Sequence, residues 1–269
     1  MQGSISGYAV RIILSLAAMQ GLAQTATPTR VSAPTRFDVV SIHLSDPSMT
    51  TEDLNYDQGQ IICKGITLPF LVQSAYGIRP FQLSGIPRSL DSQKYDIDAK
   101  LDDPSKERPA NEMTPDLLKA RSELDQLRLQ AILKERFHLK LHTVTKKSTV
   151  FVLSVTKNGP KLQKSSKDGG YMHMHGLGTE TQIEAKNETM PDFAEELAYV
   201  VSNKVVDKTG LTDRYDFSMK WTSSQTIDSN ATGPSLFTAL QEQLGLKLKT
   251  QKGPVEMYVV DHIEPPSPN

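Results

Sequence analysis

Residues 60–76, QIICKGITLPFLVQSAY, return in altered form at 182–199 as QIEAKNETMPDFAEELAY. Aligned without a gap, the two stretches share several residues: Gln60, Ile61, Lys64, Thr67 and Pro69 match Gln182, Ile183, Lys186, Thr189 and Pro191. A one-residue slip also matches Ala75-Tyr76 with Ala198-Tyr199. Each stretch reads as a short strand that leads into a helix. We therefore expect an internal duplication, and we expect the two copies to determine the fold.

The helical part of each copy carries its own start signal and its own apolar face. A threonine precedes each helix, where its hydroxyl can accept an N-terminal amide, and a proline follows in the first turn. The apolar residues recur at helical spacing. They are Leu68, Leu71, Val72, Ala75 and Tyr76 in the first copy, and Met190, Phe193, Ala194, Leu197 and Ala198 in the second. Two short strands are predicted after each helix.

A second pair of similar stretches alternates with the first. Leu139-Lys140-Leu141 matches Leu246-Lys247-Leu248, and each follows a predicted helix. The earlier of these helices is predicted to begin at Thr114-Pro115. Each stretch then reads as a β-hairpin with a lysine-containing turn. The predicted fold class is α+β, with internally duplicated strand–helix–strand–strand units, mainly antiparallel sheets, and helices packed on one sheet face.

The domain organisation follows from local composition. An apolar run follows Arg11, and Gly21 and Ala23 have the spacing of a signal-peptidase site, so residues 1–23 are predicted to be a signal peptide cleaved near Ala23. We expect a linker at 24–35, a first α+β half at 36–157, a Gly/Ser/Lys-rich connector at 158–179, a second half at 180–264 and a tail at 265–269. We predict an exported protein with no membrane span in the mature chain.

The charge balance and the known sequence motifs exclude several classes of function. Lys and Arg number 30 against 31 Asp and Glu, so there is no electrostatic signature of nucleic-acid or anionic-lipid binding. No G-x-S-x-G, H-E-x-x-H or Cys-x-x-Cys occurs. We therefore assign no catalytic residue and no cofactor.

Candidate chemistry is confined to a few positions. His173 and His175 point to one side of an extended chain and are candidate metal ligands; the alternative is an exposed loop or edge strand. Asp96 and Asp216 each follow a tyrosine at corresponding places, either as a paired acid and base or as turn-stabilising residues. The single cysteine, Cys63, corresponds to Ala185 and is predicted to be buried rather than nucleophilic.

Two further histidines admit a simpler interpretation. His138 and His142 are predicted to flank Lys140 on one strand face. Because the corresponding positions of the later stretch hold glycine and lysine, we interpret this face as solvated rather than catalytic.

Several blocks of the sequence resemble an uncharacterised exported family that is abundant in soil Acidobacteria. The blocks are FDVVSI, AYGI, YDIDAK, ERFHLKLH, VVDKTGLTDRYDFSMKW and PSLFTALQEQLGLKLKTQKGPVEMYVVDH, and they span about residues 36–269. In that family the domain occurs alone behind a signal peptide or attached to membrane metallopeptidases of the antibiotic-sensor type. The resemblance implies an extracytoplasmic role, and possible sensing, but supplies no site residues. The units also resemble the short N-terminal modules of secretins and TonB-dependent receptors.

The function predicted from these observations is that of an exported, non-enzymatic binding or sensory module of the bacterial cell envelope. Its expected partner is a protein, a peptide or an envelope ligand, docked at an exposed sheet edge. The alternatives are an envelope hydrolase with its site between the duplicated halves, and a metal-binding protein that uses His173 and His175. The oligomeric state stays open.

Overall fold

The computed structural model describes residues 36–166, 169–177, 180–222 and 233–267. The predicted signal peptide, its cleavage site and the whole predicted linker lie outside these residues. The described residues form one compact unit. It combines helices with mainly antiparallel sheets, so the predicted α+β class is confirmed.

The described elements are as follows. The strands are β1 (Val39–Leu44), β2 (Asp53–Asp57), β3 (Gln60–Thr67), β4 (Leu83–Ser84), β5 (Lys94–Lys100), β6 (Lys140–Val155), β7 (Gln163–Lys164), β8 (Tyr171–Leu177), β9 (Glu180–Glu188), β10 (Val205–Asp207), β11 (Tyr215–Thr222) and β12 (Leu246–His262). The helices are α1 (Leu68–Tyr76), α2 (Arg88–Asp91), α3 (Pro115–Arg136), α4 (Met190–Val200) and α5 (Leu236–Leu244).

The predicted helix starts are confirmed at three places. The Thr67 hydroxyl accepts a hydrogen bond from the Phe70 amide at the start of α1. Threonines cap α3 and α4 in the same way, and a proline lies in the first turn of all three helices. Each cap satisfies an amide that has no partner within its helix. Local sequence therefore sets where these helices begin.

The first lobe consists of a sheet of order β1-β5-β3-β2 with α1 and α3 packed on it. Inward-facing residues of β3 and β5, such as Ile61 and Ile97, meet the apolar faces of the two helices. The second lobe consists of a sheet of order β7-β11-β9-β8, and α4 and α5 contribute to its core. In each lobe one of the two edge strands, β2 or β8, pairs with the strand that leads into the first helix.

The predicted hairpins at 139–155 and 246–260 are wrong. β6 and β12 each run straight through the expected turn and pair with each other along their whole length. Lys147 pairs with Pro254 in the middle of the two strands. Pro254 has no amide to donate, so its place in β12 requires a pair that exchanges no hydrogen bonds.

The two long strands connect the lobes. Leu141 of β6 packs against the core of the first lobe, whereas Leu153 lies in the core of the second. β12 runs the other way, with Leu248 in the second core and Val260 in the first. The short strands β4 and β10 add to this central sheet in parallel, giving the order β10-β6-β12-β4.

Candidate functional site

A groove of about 700 Å³ lies between the lobes and is lined by residues of both α1 and α4. On the side of the first lobe it is lined by Phe70, Gln73 and Ser74 of α1 and by the turn that follows. On the other side it is lined by Glu195 and Tyr199 of α4. We call this feature the inter-lobe groove.

Two aromatic side chains of the inter-lobe groove are open to solvent. Phe70 retains 36% and Tyr199 retains 58% of its accessible surface. Because α1 and α4 turn their buried faces towards separate cores, these two rings lie on the outward faces of their helices. The two rings therefore give the groove an exposed apolar surface, and neither ring is part of a hydrophobic core.

Arg79 connects the two walls of the groove. Its guanidinium lies 5.8 Å from the centre of the Tyr199 ring, a distance suited to a cation–π contact. It also donates to the Glu195 carbonyl oxygen at 3.3 Å. Glu52 lies at the edge of the groove and accepts hydrogen bonds from the amide and the hydroxyl of Thr67.

The two helices contribute different residues at corresponding positions. The gap-free alignment places buried Leu71 over Phe193 and buried Ala75 over Leu197, so burial follows this alignment through the helices. In the gap-free alignment Tyr199 corresponds to Gly77, the left-handed residue (φ 60°) at which α1 ends. The slipped match pairs Ala75 with Ala198, which are both buried, and half-buried Tyr76 with exposed Tyr199.

Asp96 and Asp216 lie on different sheets and make similar local bonds. Asp96 accepts the Gly65 amide at 3.0 Å, and Asp216 accepts the Asn187 amide at 2.9 Å. Gly65 and Asn187 both have positive φ, at 61° and 53°. Each aspartate therefore secures the backbone at an irregularity in its sheet.

The pKa values of these two aspartates follow from their bonds. Burial opposes ionisation of Asp96, but hydrogen bonds from Ser45, Gly65 and Lys64 together lower its pKa. The Asn187 amide is the main cause that lowers the pKa of Asp216. Both carboxylates are held as anions, which suits a structural acceptor better than a proton donor.

The cysteine is buried, as predicted. Cys63 has no exposed surface and lies in the first core, and Ala185 is equally buried in the second. Burial, with smaller effects from Asp53 and Asp96, raises the pKa of the Cys63 thiol to about 12. A thiol in this state is a poor nucleophile at neutral pH.

His173 and His175 lie on β8, which is one of the two edge strands of the sheet in the second lobe. Their ring centres are 6.0 Å apart on the exposed face, and Tyr171 extends the row, 5.0 Å from His173. Met172 and Met174 point the other way and pack against the core. In the part of the chain that the structure describes, no group of three or more His, Cys, Asp and Glu side chains could hold a metal ion.

His138 and His142 are not neighbours on one strand face. His138 precedes β6 and has a φ of 52°, whereas His142 lies within the strand. The His142 Nδ1 atom lies 2.9 Å from a carboxylate oxygen of Asp261 on β12. Both histidines are exposed.

Comparison with known protein families gives one match. The model of a protein family of unknown function, DUF3738, matches residues 70–263. The chain belongs to the DUF3738 family. The expected membership of an uncharacterised family is thereby confirmed, while no comparison bears on an acidobacterial origin or on the likeness to secretin and TonB-receptor modules.

The matched DUF3738 region begins inside α1 and ends just after β12. It includes α4 and most of α1, the two helices of the inter-lobe groove, but not Glu52 or Thr67 on the rim of the groove. No curated protein and no solved structure shows detectable similarity to the chain. No described helix is both long enough and apolar enough to span a membrane.

Sequence reasoning missed a buried charge box in the first lobe of the DUF3738 protein. It consists of Glu107, Arg121, Asp125 and Arg128. Each arginine pairs with both carboxylates, and the Arg128 side chain has no exposed area. The guanidinium of Arg128 also lies 5.3 Å from the centre of the Phe37 ring.

The spacing of charged residues in the sequence gives a weak indication of the charge box. Arg121, Asp125 and Arg128 are spaced along one face of α3, where a buried helix face would normally be apolar. Burial raises the pKa of Asp125, although both arginines act in the opposite direction. Removing any single member would leave an uncompensated charge in the interior.

Proposed function

We propose that this DUF3738 protein is an exported, non-enzymatic binding module of the bacterial cell envelope and that the inter-lobe groove holds its ligand. The observation that carries the proposal is the pair of solvent-exposed rings, Phe70 and Tyr199, on facing walls of one concave surface. Exposed aromatic residues beside an arginine are the residue types that dominate the energy of protein interfaces.

The groove suits a peptide or protein segment that inserts an apolar side chain. Phe70 and Tyr199 supply apolar contact area, while Gln73 and Ser74 on the same wall can form hydrogen bonds with a backbone. Arg79 is already held by Tyr199 and by the Glu195 carbonyl, so it would lose little freedom when a ligand binds. This arrangement favours recognition by contact area and shape.

The envelope-hydrolase alternative would have to place its chemistry in the same groove. Its carboxylates there are Glu52, which is bound to Thr67, and Glu195. Asp96 and Asp216 belong to the outer sheets, where each accepts a backbone amide. Binding uses the groove residues in the positions that they occupy, whereas hydrolysis by both carboxylates would require Glu52 to give up its hydrogen bonds with Thr67.

We also infer that the two lobes arose by internal duplication. The matching strand orders, the two similarly bonded aspartates and the two threonine-capped helices support this inference. A duplication of this kind would have placed two related helix faces opposite each other, and later divergence would have placed Tyr199 opposite Phe70.

Affinity capture with the mature protein tests the binding function. We expect wild-type bait to enrich one partner from native cell envelopes, and we expect F70A/Y199A bait to lose it. The variant Y171A removes an exposed tyrosine elsewhere and serves as a matched control that retains the partner.

A photo-crosslinking amino acid in place of Ser74 locates the contact. We expect it to crosslink the same partner. Equal recovery by wild-type and F70A/Y199A baits would contradict the proposed site, and hydrolysis of a captured partner would contradict the non-enzymatic function.

A further inference from the structure

A second cavity, of about 400 Å³, lies in the first lobe away from the inter-lobe groove. Three segments enclose it: the end of β2 with the turn to β3, the stretch at 108–113, and the first turns of α3. Its volume is near the lower end of the range of small-molecule sites. The cavity therefore suits a ligand of modest size.

The charge box holds these three segments together. Arg121 donates to the Asp57 carbonyl oxygen at 2.9 Å, which ties the end of β2 to α3. A carboxylate oxygen of Glu107 accepts the Gly59 amide at 3.0 Å, which ties the turn to the stretch before α3. A wall held by buried charged hydrogen bonds keeps its shape without a ligand, and this lowers the cost of binding.

The charges on the cavity wall divide into two classes. Arg121 and Asp125 belong to the charge box, which contains two arginines and two carboxylates and is neutral as a whole. Arg108 makes no hydrogen bond or ion pair with any residue that the structure describes. Asp57 accepts the Gln58 amide but has no cationic partner among the described residues.

Apolar surface completes the cavity. Met113 and Leu118 line it, and Leu118 retains 43% of its accessible surface. Thus one cation, one anion and an apolar surface border the same small space. The chemical complement of this set is a molecule with one carboxylate, one ammonium group and an apolar side chain.

We propose that this cavity binds a free apolar α-amino acid, with Arg108 recognising its carboxylate and Asp57 its ammonium group. A guanidinium matches a carboxylate in a planar, two-point arrangement. Met113 and Leu118 cover the side chain of the ligand. The site is independent of the inter-lobe groove, and no covalent step is involved.

Calorimetric titration of the purified mature protein tests this proposal. The probes are leucine, methionine and phenylalanine, followed by leucinamide, which lacks the carboxylate, and N-acetylleucine, which lacks the ammonium group. We expect at least one of the three amino acids to bind at millimolar concentration or below. For leucine we expect both neutralised analogues to bind about tenfold to a hundredfold more weakly, the usual effect of losing a charged hydrogen bond.

Two variants assign the roles of the charged residues. R108Q should weaken leucine to the level of leucinamide and leave leucinamide itself unchanged. D57N should weaken leucine to the level of N-acetylleucine. Arg88 and Asp91 are exposed, make no described ion pair and lie outside the cavity, so R88Q and D91N are matched controls that should bind like the wild type.

The results also separate this site from the groove. F70A/Y199A should bind amino acids normally even where it loses its envelope partner. Three outcomes would overturn the proposal: none of the three amino acids binds, leucine binds no better than its two analogues, or R108Q binds leucine as the wild type does. Thermal unfolding of every variant confirms that the altered proteins are folded.

Discussion

Replacing Arg128 by methionine tests how much the charge box stabilises the first lobe. The Arg128 side chain has no exposed area and pairs with both Glu107 and Asp125. R128M keeps the packing of the aliphatic part of the side chain but removes the guanidinium, so two buried carboxylates are left to share Arg121. Because breaking a buried ion pair strands the remaining charge, we expect the free energy of unfolding to fall by about 3–5 kcal/mol at pH 7.

Urea unfolding followed by circular dichroism measures this loss. The control variant R88M removes an exposed arginine and should change the free energy of unfolding by no more than about 0.5 kcal/mol. Burial already raises the folded-state pKa of Asp125, and R128M removes one of the two arginines that lower it, so we expect this pKa to rise further above its unfolded value. The penalty is therefore fully present above that folded pKa and disappears as the pH falls through it, so R128M should recover stability relative to wild type in acid.

A second substitution distinguishes the stranded charge from simple loss of packing. E107Q/R128M restores neutrality to the box, so it should be more stable than R128M by at least about 1 kcal/mol. A loss below about 1 kcal/mol in R128M would refute the reasoning. The reasoning would also be refuted if the free energy of unfolding lost in E107Q/R128M equalled the sum of the losses in E107Q and R128M. Such additivity would mean that the two charges do not interact.

Four further predictions concern other parts of the molecule. D96N and D216N should each lose less free energy of unfolding between pH 7 and pH 3 than the wild type does, as measured by urea unfolding. Both carboxylates have a lowered pKa in the folded protein. Their stabilising effect is therefore complete above the unfolded-state pKa and is lost as the pH falls through the folded-state pKa. A larger loss in either variant would contradict this. Cys63 should react with a maleimide far more slowly in the native protein than in urea, and equal rates would contradict its burial. If His173 and His175 bind a metal ion, Zn²⁺ should shift their imidazole NMR signals, and H173A/H175A should lose the zinc-binding isotherm; identical titration curves would end the hypothesis. When the chain is expressed with its own N-terminus in a Gram-negative host, the secreted product should begin near Gln24, whereas an intact N-terminus would contradict cleavage.

Short-range features of the fold could be predicted from the sequence because their causes are local. Thr67 and Thr189 cap helices through bonds that reach three residues ahead. The alternating buried residues of β11 follow directly from its own pattern. Cys63 could be placed in the core because its counterpart is an alanine.

Long-range pairing could not be predicted in the same way. The lysines at 146–147 and the glycine and proline at 253–254 look like turns, yet the two segments pair with each other across about a hundred residues of chain. Local composition cannot distinguish a turn from the middle of a long exposed ribbon. β8 lies in a stretch rich in Gly, Ser and Lys, where the sequence left an exposed loop and an edge strand as alternatives.

The candidate sites were still harder to foresee. The inter-lobe groove exists only because two helices distant in sequence face each other. In the charge box, Glu107 lies in a loop before α3, so the charged residues of that helix resemble an ordinary solvated face until their partner is placed. Both features depend on tertiary contacts that no short motif encodes.

The crossing of β6 and β12 between the lobes has a consequence for how the protein could have been assembled. Each core is completed by a strand end supplied from the other part of the chain: Leu153 enters the second core, and Val260 enters the first. A half-length chain would keep its own helices but would lack this closing segment. Such a chain could supply the missing segment by exchanging long strands with a second copy. The duplication that we propose would then correspond to two strand-exchanged copies joined in one chain.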